Sequence, residues 1–443
     1  MRAPRSAFSH RVSRRRVLSI LPAMLGAPAL PLSAQSRRDR VPGDTRPPAP
    51  IAALSSMRDR AAPITSAERG ARIERARRLM ADTGLDAIVL TGGTSLLYFS
   101  GVRWGRSERL FGLVLPARAA AFVVCPAFET DRAHEQLARG PLAGVEVRAW
   151  QEDESPFERI AQGLRDRGIA SGRLGIEETT PFVFADSIGA AVPGARVVSA
   201  TPVTAGCRMI KDAHEIALMR LASQVTLMAY AAVYRSMTDG MTQDQVGDLI
   251  AAAYGRLGFP GEASVQVGEY TALPHGSVTP QTVREGTIVM LDDGCSVEGY
   301  QSDITRTFVL GRPSAKMRSI FDVVRAAQTA ALNAARPGVT LETVDGAARR
   351  VIVDAGYGPA FTYFTHRVGH GLGMDIHEWP YLVRNNMFGW DQSPTLRPGM
   401  VFSDEPGIYI PGEFGVRLED DMLITETGAE LFTPQSPAID KPF

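Results

Sequence analysis

Apolar positions along this chain fall into three regimes. From Val17 to Leu32 they form one nearly continuous run behind the basic stretch Arg14-Arg15-Arg16. From Gln35 to about Pro63 they thin out among Arg, Pro and Ser, a composition that predicts a flexible linker. From Ser66 onward they become periodic. The stretch "SAERGARIERARRLMADTG" opens with a capping-type start and ends on glycine, so it predicts a helix. Behind it, "DAIVL", "LFGLVLP", "AAFVVC", "GVEVRAW" and "RLGIE" are short apolar runs separated by helical segments. Such alternation indicates an α/β domain from Ser66 to about residue 200. Gly92-Gly93, after the first run, lacks the further glycines of a nucleotide-binding loop and reads as a turn.

A long helical stretch, Lys211 to Met237, opens a second domain that carries a faint internal repeat. "GMTQDQVGDLIAAAYGRLGF" and "GVTLETVDGAARRVIVDAGY" align Gly240 with Gly338, Thr242 with Thr340, Val246 with Val344 and Gly258 with Gly356. Each copy is a capped helix that stops at glycine and runs on into strand-like sequence. The repeat implies two similar halves, and a site between them would draw on both.

Composition narrows the class of protein. The 443 residues exceed one ordinary core, and 44% hydrophobic with 22% charged residues describes a globular chain. The net charge of zero gives no support to a nucleic-acid partner. Cys125, Cys207 and Cys295 are odd in number and far apart, so neither a disulfide framework nor a zinc knuckle is indicated. The first 35 residues have the plan of a secretory signal with cleavage near Ala34. The order Ser13-Arg14-Arg15-x-Val17-Leu18 resembles the twin-arginine export signal, which places the mature chain in the periplasm. Pro22, Pro28 and Pro31 interrupt the apolar run and argue against a membrane anchor, so no membrane contact is expected once the signal is removed.

Candidate chemistry concentrates after residue 270. In "TIVMLDDGCSVEGYQSDITRTFVL" two strands are joined by a turn, with Asp292 ending the first and Asp303 starting the second. "GMVFSDEPGIYI" and "GVRLEDDMLIT" make a matching pair that carries Glu405 and Glu419. Period-2 alternation places Arg417 and Glu419 on one face and Val416 and Leu418 on the other. Acids embedded in apolar strands are costly unless paired or bound to a cation. Four of them at corresponding places in two halves point to metal. Carboxylates with one imidazole are hard ligands that favour manganese or a similar divalent ion over thiolate-bound zinc, and their number suits two ions. The stretch "HRVGHGLGMDIHE" holds His366, His370 and His377. The first two have the four-residue spacing of a zinc-protease helix, but no Glu follows the first His, and Gly369, Gly371 and Gly373 argue for strand and turn. His10, His134 and His214 read as surface or satisfied core residues.

In order along the chain, "LPHG", "LDDGCSVEGYQSDITRTF", "HRVGHGLGMDIHE", "SDEPGIYI" and "GVRLEDD" resemble the motif series of the pita-bread metallopeptidases, a family that includes prolidase and aminopeptidase P. The preceding domain, with "LLYFSGV" from Leu96, is similar to the amino-terminal domain of the prolidase, aminopeptidase P and creatinase branch. The resemblance implies a creatinase-like α/β N-terminal domain followed by an α+β pita-bread catalytic domain with two pseudo-symmetric halves. The expected organisation is a signal peptide at 1–35, a linker at 36–65, the first domain at 66–205 and the catalytic domain at 206–443. The resemblance also makes Asp292, Asp303, His370, Glu405 and Glu419 the ligands of two divalent ions, manganese in the first place and cobalt or zinc as alternatives. Asp303 and Glu419 would bridge them. Asp293 competes with Asp292 as a ligand, and the spacing of eleven to Asp303 matches the family and favours Asp292. Glu405 is the implied general base, His275 lies near the reacting carbonyl, and His366 and His377 face substrate. Arg417 orients the cluster, with Tyr409 as a weaker helper.

These readings lead to a metal-dependent exopeptidase that cleaves between an amino-terminal residue and proline. The expected substrate is a small peptide with proline second, and the expected assembly is a homodimer or higher oligomer. A metal-dependent small-amide hydrolase or lyase of the same fold is the alternative, and a non-catalytic binding module conflicts with the complete ligand set. The loop "RWGRSER", Arg103–Arg109, reads as solvated surface or as a cover for a partner subunit's site.

Overall fold

A computed structural model describes residues 46–391 and 393–443. The expected export signal and the linker up to residue 45 lie outside the described residues. From Pro47 the chain is one compact unit, and the expectation of a flexible linker through residue 65 is corrected over this part. A short helix, Ala49–Ala52, and a 3-10 turn, Arg58–Arg60, lead into the first long helix. Ile51, Leu54, Met57 and Ile64 are buried in the same core as the helices Ala213–Tyr234 and Gln243–Leu257. The Met57 amide donates to the Leu257 carbonyl at 2.9 Å, and Arg256 donates to the carbonyls of Ala52 and Leu54. Four apolar side chains spaced along a polar, proline-rich stretch carry too weak a period to be read as structure, yet they suffice to pin it to a preformed surface. His214 belongs to the same seam, between Glu68 at 2.7 Å and the Ala62 carbonyl at 3.1 Å.

The helix Ser66–Thr83 starts on a capping box in which Thr65 and Glu68 exchange hydrogen bonds, and it stops at Gly84 in the left-handed conformation. The sheet it packs on has six strands in the spatial order Glu146–Trp150, Phe122–Pro126, Gly112–Pro116, Ala87–Thr91, Gly172–Ile176 and Ala195–Ser199. The first five in chain order are the apolar runs read from the sequence. The last, "ARVVS", is an edge strand whose alternating exposure hid it. Ala87–Thr91 runs antiparallel to Gly112–Pro116 and parallel to Gly172–Ile176. Its alternate residues serve two cores: Ile88 and Leu90 face one layer, Ala87 and Val89 the other. Burial on both faces is why this strand is apolar throughout.

The second domain has the two halves that the repeat implies. In the first, Ala213–Tyr234 and Gln243–Leu257 back a sheet in which Ile288–Asp292 lies between Arg306–Val309 and Ser264–Val267. In the second, Ala315–Ala334 and Leu341–Asp354 accompany a sheet in which Val401–Asp404 lies between His370–Gly371 and Asp420–Ile424. The aligned threonines occupy equivalent places. Thr242 bridges to Thr282 and Thr340 to Thr395, while the amides of Gly240 and Gly338 donate to Val283 and Leu396. The helix Ala213–Tyr234 is long and apolar enough to cross a bilayer by composition, but here those apolar residues form the main core.

Arg306, fully buried, ties the halves together. It reaches Asp420 at 2.7 Å, the Glu419 carbonyl at 2.8 Å and the Pro434 carbonyl at 3.0 Å. Gln328 and Thr433 complete the hydrogen bonding of Asp420. Because residues 47–64 share this core, Ile51→Ala is expected to lower the unfolding free energy by about 2–4 kcal/mol. Urea denaturation of the mature protein checks this, and an unchanged midpoint would place the segment outside the cooperative unit.

Candidate metal centre

Both halves send acids into one cleft of about 710 Å³. Asp292 ends the strand Ile288–Asp292, where the chain turns away through Asp293, a non-glycine residue at φ 125°. Asp303 lies ahead of its strand, not at its start as the sequence suggested, because Arg306–Val309 begins three residues later. Glu405 sits in the gap between Val401–Asp404 and Gly407–Ile410. Leu418 and Glu419 likewise separate Phe414–Arg417 from Asp420–Ile424, so the simple alternation expected through Glu419 breaks there. Each ligand candidate thus sits at a strand end or gap, where a side chain can turn into the cleft without leaving a sheet position empty.

His370 begins a two-residue strand, and the stretch around it is strand and turn rather than helix. A Cβ on Gly369 would fall 2.0 Å from the Ser403 carbonyl oxygen, and one on Gly371 2.7 Å from that of Glu378. Those two glycines are what lets the His370 backbone nest against its neighbours. His370 Nδ1 lies 3.2 Å from the Gly371 carbonyl, which can only accept, so the proton sits on Nδ1. Its Nε2 faces Glu405 at 3.2 Å and Asp303 at 3.6 Å: with a proton it donates to these acids, and without one its lone pair is free for a cation. Coordinating atoms of three overlapping sets lie within 4.8 Å of one another: Asp292, Asp303 and Glu419; His370, Glu405 and Glu419; Asp303, His370 and His377. All five expected ligands are included. Among the described residues Asp293 joins none of these sets.

The charge balance fits cations. Four carboxylates crowd near the guanidinium of Arg417, which is buried and bonded to Asp292, the Thr305 hydroxyl, Tyr409 and the Pro274 carbonyl. Burial, then Asp292 and Glu405, push Asp303 well above the usual carboxylate range. Burial, then Asp303 and Glu405, do the same to Glu419. Glu405 goes the other way, down to about 2: burial opposes ionisation, but the His370 hydrogen bond and charge outweigh it. The Thr305 hydroxyl lies 2.6 Å from both Asp292 and Glu419. A hydroxyl owns one proton, so both contacts are hydrogen bonds only while one carboxyl is protonated, which agrees with the upward shift of Glu419. Buried carboxylates that repel one another and are rich in oxygen donors are the environment hard divalent ions require.

The other histidines divide. His366 places Nδ1 2.8 Å from the Arg367 carbonyl and Nε2 2.7 Å from the Tyr409 hydroxyl. Tyr409 therefore donates to His366 and accepts from Arg417 at 2.8 Å. His366 lines the cleft as expected, and both its nitrogens are engaged within the protein, where the ring links Arg417 to the cleft wall. His377 is exposed at the mouth, its ring 4.0 Å from that of His370. Burial, then His370 and Arg367, push it down to about 4, so it is neutral at pH 7. His275 lines the cleft from an exposed loop after the 3-10 turn Gly268–Ala272. The sequence reading missed Thr305, although it stands two residues beyond Asp303, and it missed Arg367, Tyr381 and Met387 in the cleft wall.

Both domains of the chain are similar to known proteins. Residues 217–426 match the model of metallopeptidase family M24, and residues 72–210 match the creatinase/prolidase N-terminal domain. A probable dipeptidase PepE of Mycobacterium tuberculosis is 38% identical over 361 residues, 81% of this chain and 92% of the relative. An Xaa-Pro dipeptidase of Lactobacillus delbrueckii subsp. lactis is 32% identical over 82% of this chain and 97% of its own length. The crystal structure of dipeptidase PepE from Mycobacterium ulcerans superposes with a TM-score of 0.78 at 34% identity, covering 86% of this chain and 99% of that one.

Two substitutions separate ligand from support. His370→Ala is expected to lose bound metal after manganese loading and dialysis. Thr305→Ala, which keeps every ligand, should weaken metal affinity roughly 10- to 100-fold. Elemental analysis and equilibrium dialysis read both. A His370→Ala protein holding as much metal as the parent would break the ligand assignment.

Proposed function

The chain belongs to metallopeptidase family M24, and on that premise we propose that it hydrolyses the bond between an amino-terminal residue and a following proline. The observation that carries the reading is the convergence of Asp292, Asp303, His370, Glu405 and Glu419 in one cleft. Two divalent ions held by this set would supply an activated water and polarise the scissile carbonyl. Asp303 and Glu419, each belonging to two of the three sets, would be the ligands shared between the ions.

The remaining steps fall to the chain's own groups. Glu405, ionised and hydrogen-bonded to Ser403 at 3.1 Å, accepts the proton of the attacking water and returns it to the proline nitrogen as the bond breaks. His377, neutral at the mouth, offers an N–H to the carbonyl oxygen, and His275 closes the same side of the cleft. Arg417 fixes Asp292 and, through Tyr409, the ring of His366. Removing that guanidinium would leave Asp292 without its arginine partner.

Manganese is the proposed resident ion, supported by the oxygen-rich donor set. Export through the twin-arginine route is proposed for residues 1–35, on their basic start, apolar run and Ala34. A homodimer or higher oligomer is proposed from the resemblance alone. Metal-depleted protein should regain proline release from Xaa-Pro peptides on adding manganese, with cobalt and zinc as comparisons, and should act poorly on the same peptides with alanine in place of proline. Absence of metal-stimulated release from every Xaa-Pro peptide would end the proposal.

A further inference from the structure

The loop Arg103–Arg109 and the pair Gly92-Gly93, neither of which enters the metal centre, meet at a second, smaller cavity. It holds about 150 Å³ and lies at the seam between the domains, with Arg106, Glu177 and Glu178 on one side and Arg208 and Asp375 on the other. His377 and Tyr381 line both this cavity and the metal cleft, so the two adjoin. The glycines bring the loop in. A Cβ on Gly92 would fall 2.7 Å from the Gly105 carbonyl oxygen, and one on Gly93, at φ 149°, would fall 3.3 Å from Arg106 Nη2.

The wall of this cavity carries groups of both signs with hydrogen bonds left unmade. Glu177 is 4% exposed, and its Oε2 is buried with no hydrogen-bond partner among the described residues. Arg208 is 8% exposed, and its Nε is likewise without one, 3.5 Å from Glu378. Glu178, by contrast, accepts from the Thr201 and Thr204 hydroxyls at 3.2 Å each. Arg106, on the exposed side, spends its Nε on the Gly92 carbonyl at 3.2 Å. Among the described residues no carboxylate pairs with its other nitrogens. An unmade hydrogen bond on a buried polar group is a standing cost that a ligand can relieve. Burial pushes the Glu177 carboxyl up to about 7; the Ser95 hydroxyl opposes the shift, Glu178 adds to it, and Arg208 and Arg106 oppose it. A cationic group at Oε2 would return this carboxyl to the ionised form.

We propose that the seam cavity binds a small free amino acid as its zwitterion, the ammonium on Glu177 and the carboxylate on Arg106, and that the occupant restrains His377. The proposal rests on the Xaa-Pro reading for the source of the ligand, since that hydrolysis releases two such zwitterions beside His377. Other occupants fit less well. Among the described residues the acids of this cavity do not converge on one point as metal ligands would, and two arginines repel a cation. An inorganic anion would face Glu177, Glu178 and Asp375. A solute bearing both charges meets a partner for each, and the volume suits one small molecule rather than a peptide chain. Because His377 stands in the shared wall, the bound amino acid slows turnover while substrate occupies the metal cleft.

The test follows turnover of an Xaa-Pro peptide by the manganese-loaded mature protein with added L-alanine or L-proline. N-acetyl-L-alanine and L-alaninamide, each lacking one of the two charges, serve as controls. The zwitterions are expected to lower kcat as well as raise KM, and the controls to leave kcat unchanged. Glu177→Gln and Arg106→Gln should each weaken the effect on kcat roughly tenfold while the effect on KM, exerted in the metal cleft, persists. Arg106→Lys should recover part of the effect on kcat, which a merely structural role would not produce. Inhibition through KM alone, or an effect on kcat that survives both substitutions to Gln, overturns the proposal while the Xaa-Pro reading stands. Should the parent turn over no Xaa-Pro peptide, that reading falls, and calorimetric titration of L-alanine into the same protein decides the cavity separately. Binding that Glu177→Gln abolishes supports the site, and absence of binding, or binding that Glu177→Gln leaves intact, overturns it.

Discussion

The mutual repulsion of four carboxylates shut in one cleft is the constraint around which the catalytic domain is built. Asp292 and Asp303 come from one half of the domain, Glu405 and Glu419 from the other. Without cations the cluster would drive the halves apart, so the protein surrounds it with ties. Thr305 spans Asp292 and Glu419 at 2.6 Å each, and the Asp303 amide donates to Asp421 at 3.3 Å. Behind this layer the buried Arg306–Asp420 pair holds the two sheets in register. A buried pair of this kind adds little net stability, but breaking one partner is severe because the other charge is then stranded. Its place directly behind Glu419 makes it a device for fixing position.

The same logic extends to the first domain. Arg208 and Lys211, at the end of that domain and the start of the catalytic one, both approach Glu378, at 3.5 and 3.4 Å. Arg208 also meets Asp375 at 3.0 Å, and the Thr94 hydroxyl donates to that carboxylate. Glu378 in turn accepts the amides of Met374 and Asp375. His377 lies inside this clamp. Its place at the cleft mouth is therefore set by contacts that reach into the first domain, which gives that domain a part in the chemistry beyond covering the site. The packing of residues 47–64 under the helices Ala213–Tyr234 and Gln243–Leu257 stiffens the junction from the other side.

The legibility of these features in the sequence follows from their range. The two-halved plan was readable because helix starts and glycine stops are local signals, and Thr242 and Thr340 do begin equivalent helices. The ligand acids were readable because carboxylates among apolar strand residues stand out. The packing of residues 47–64 was not readable, since it depends on a surface that only the folded catalytic domain supplies. Glu419 was placed on the right face by a strand period that in fact breaks at Leu418. The bond from His366 to Tyr409 spans 43 residues of sequence and leaves no periodic trace. Arg367 was hidden for another reason: between two histidines of a metal motif, an arginine looks like spacing.

Within that short stretch, the function of each imidazole is decided by what its other nitrogen finds. His370 gives its Nδ1 proton to the Gly371 carbonyl, which frees Nε2 to face the acids. His366 gives its own proton to the Arg367 carbonyl, but Tyr409 occupies the remaining nitrogen, so the ring becomes a strut. For His377 no such partner intervenes among the described residues, and its ring stands at the mouth beside His370. Burial lowers the proton affinity of both His366 and His377, with the neighbouring His370 ring next in importance at His377. Neutral rings suit a cleft designed to hold cations, because an imidazolium at either place would compete with the ions for the same carboxylates. The motif thus carries three copies of one side chain in three different roles, and the carbonyls and hydroxyl of the surrounding fold, rather than the spacing of the histidines, assign them.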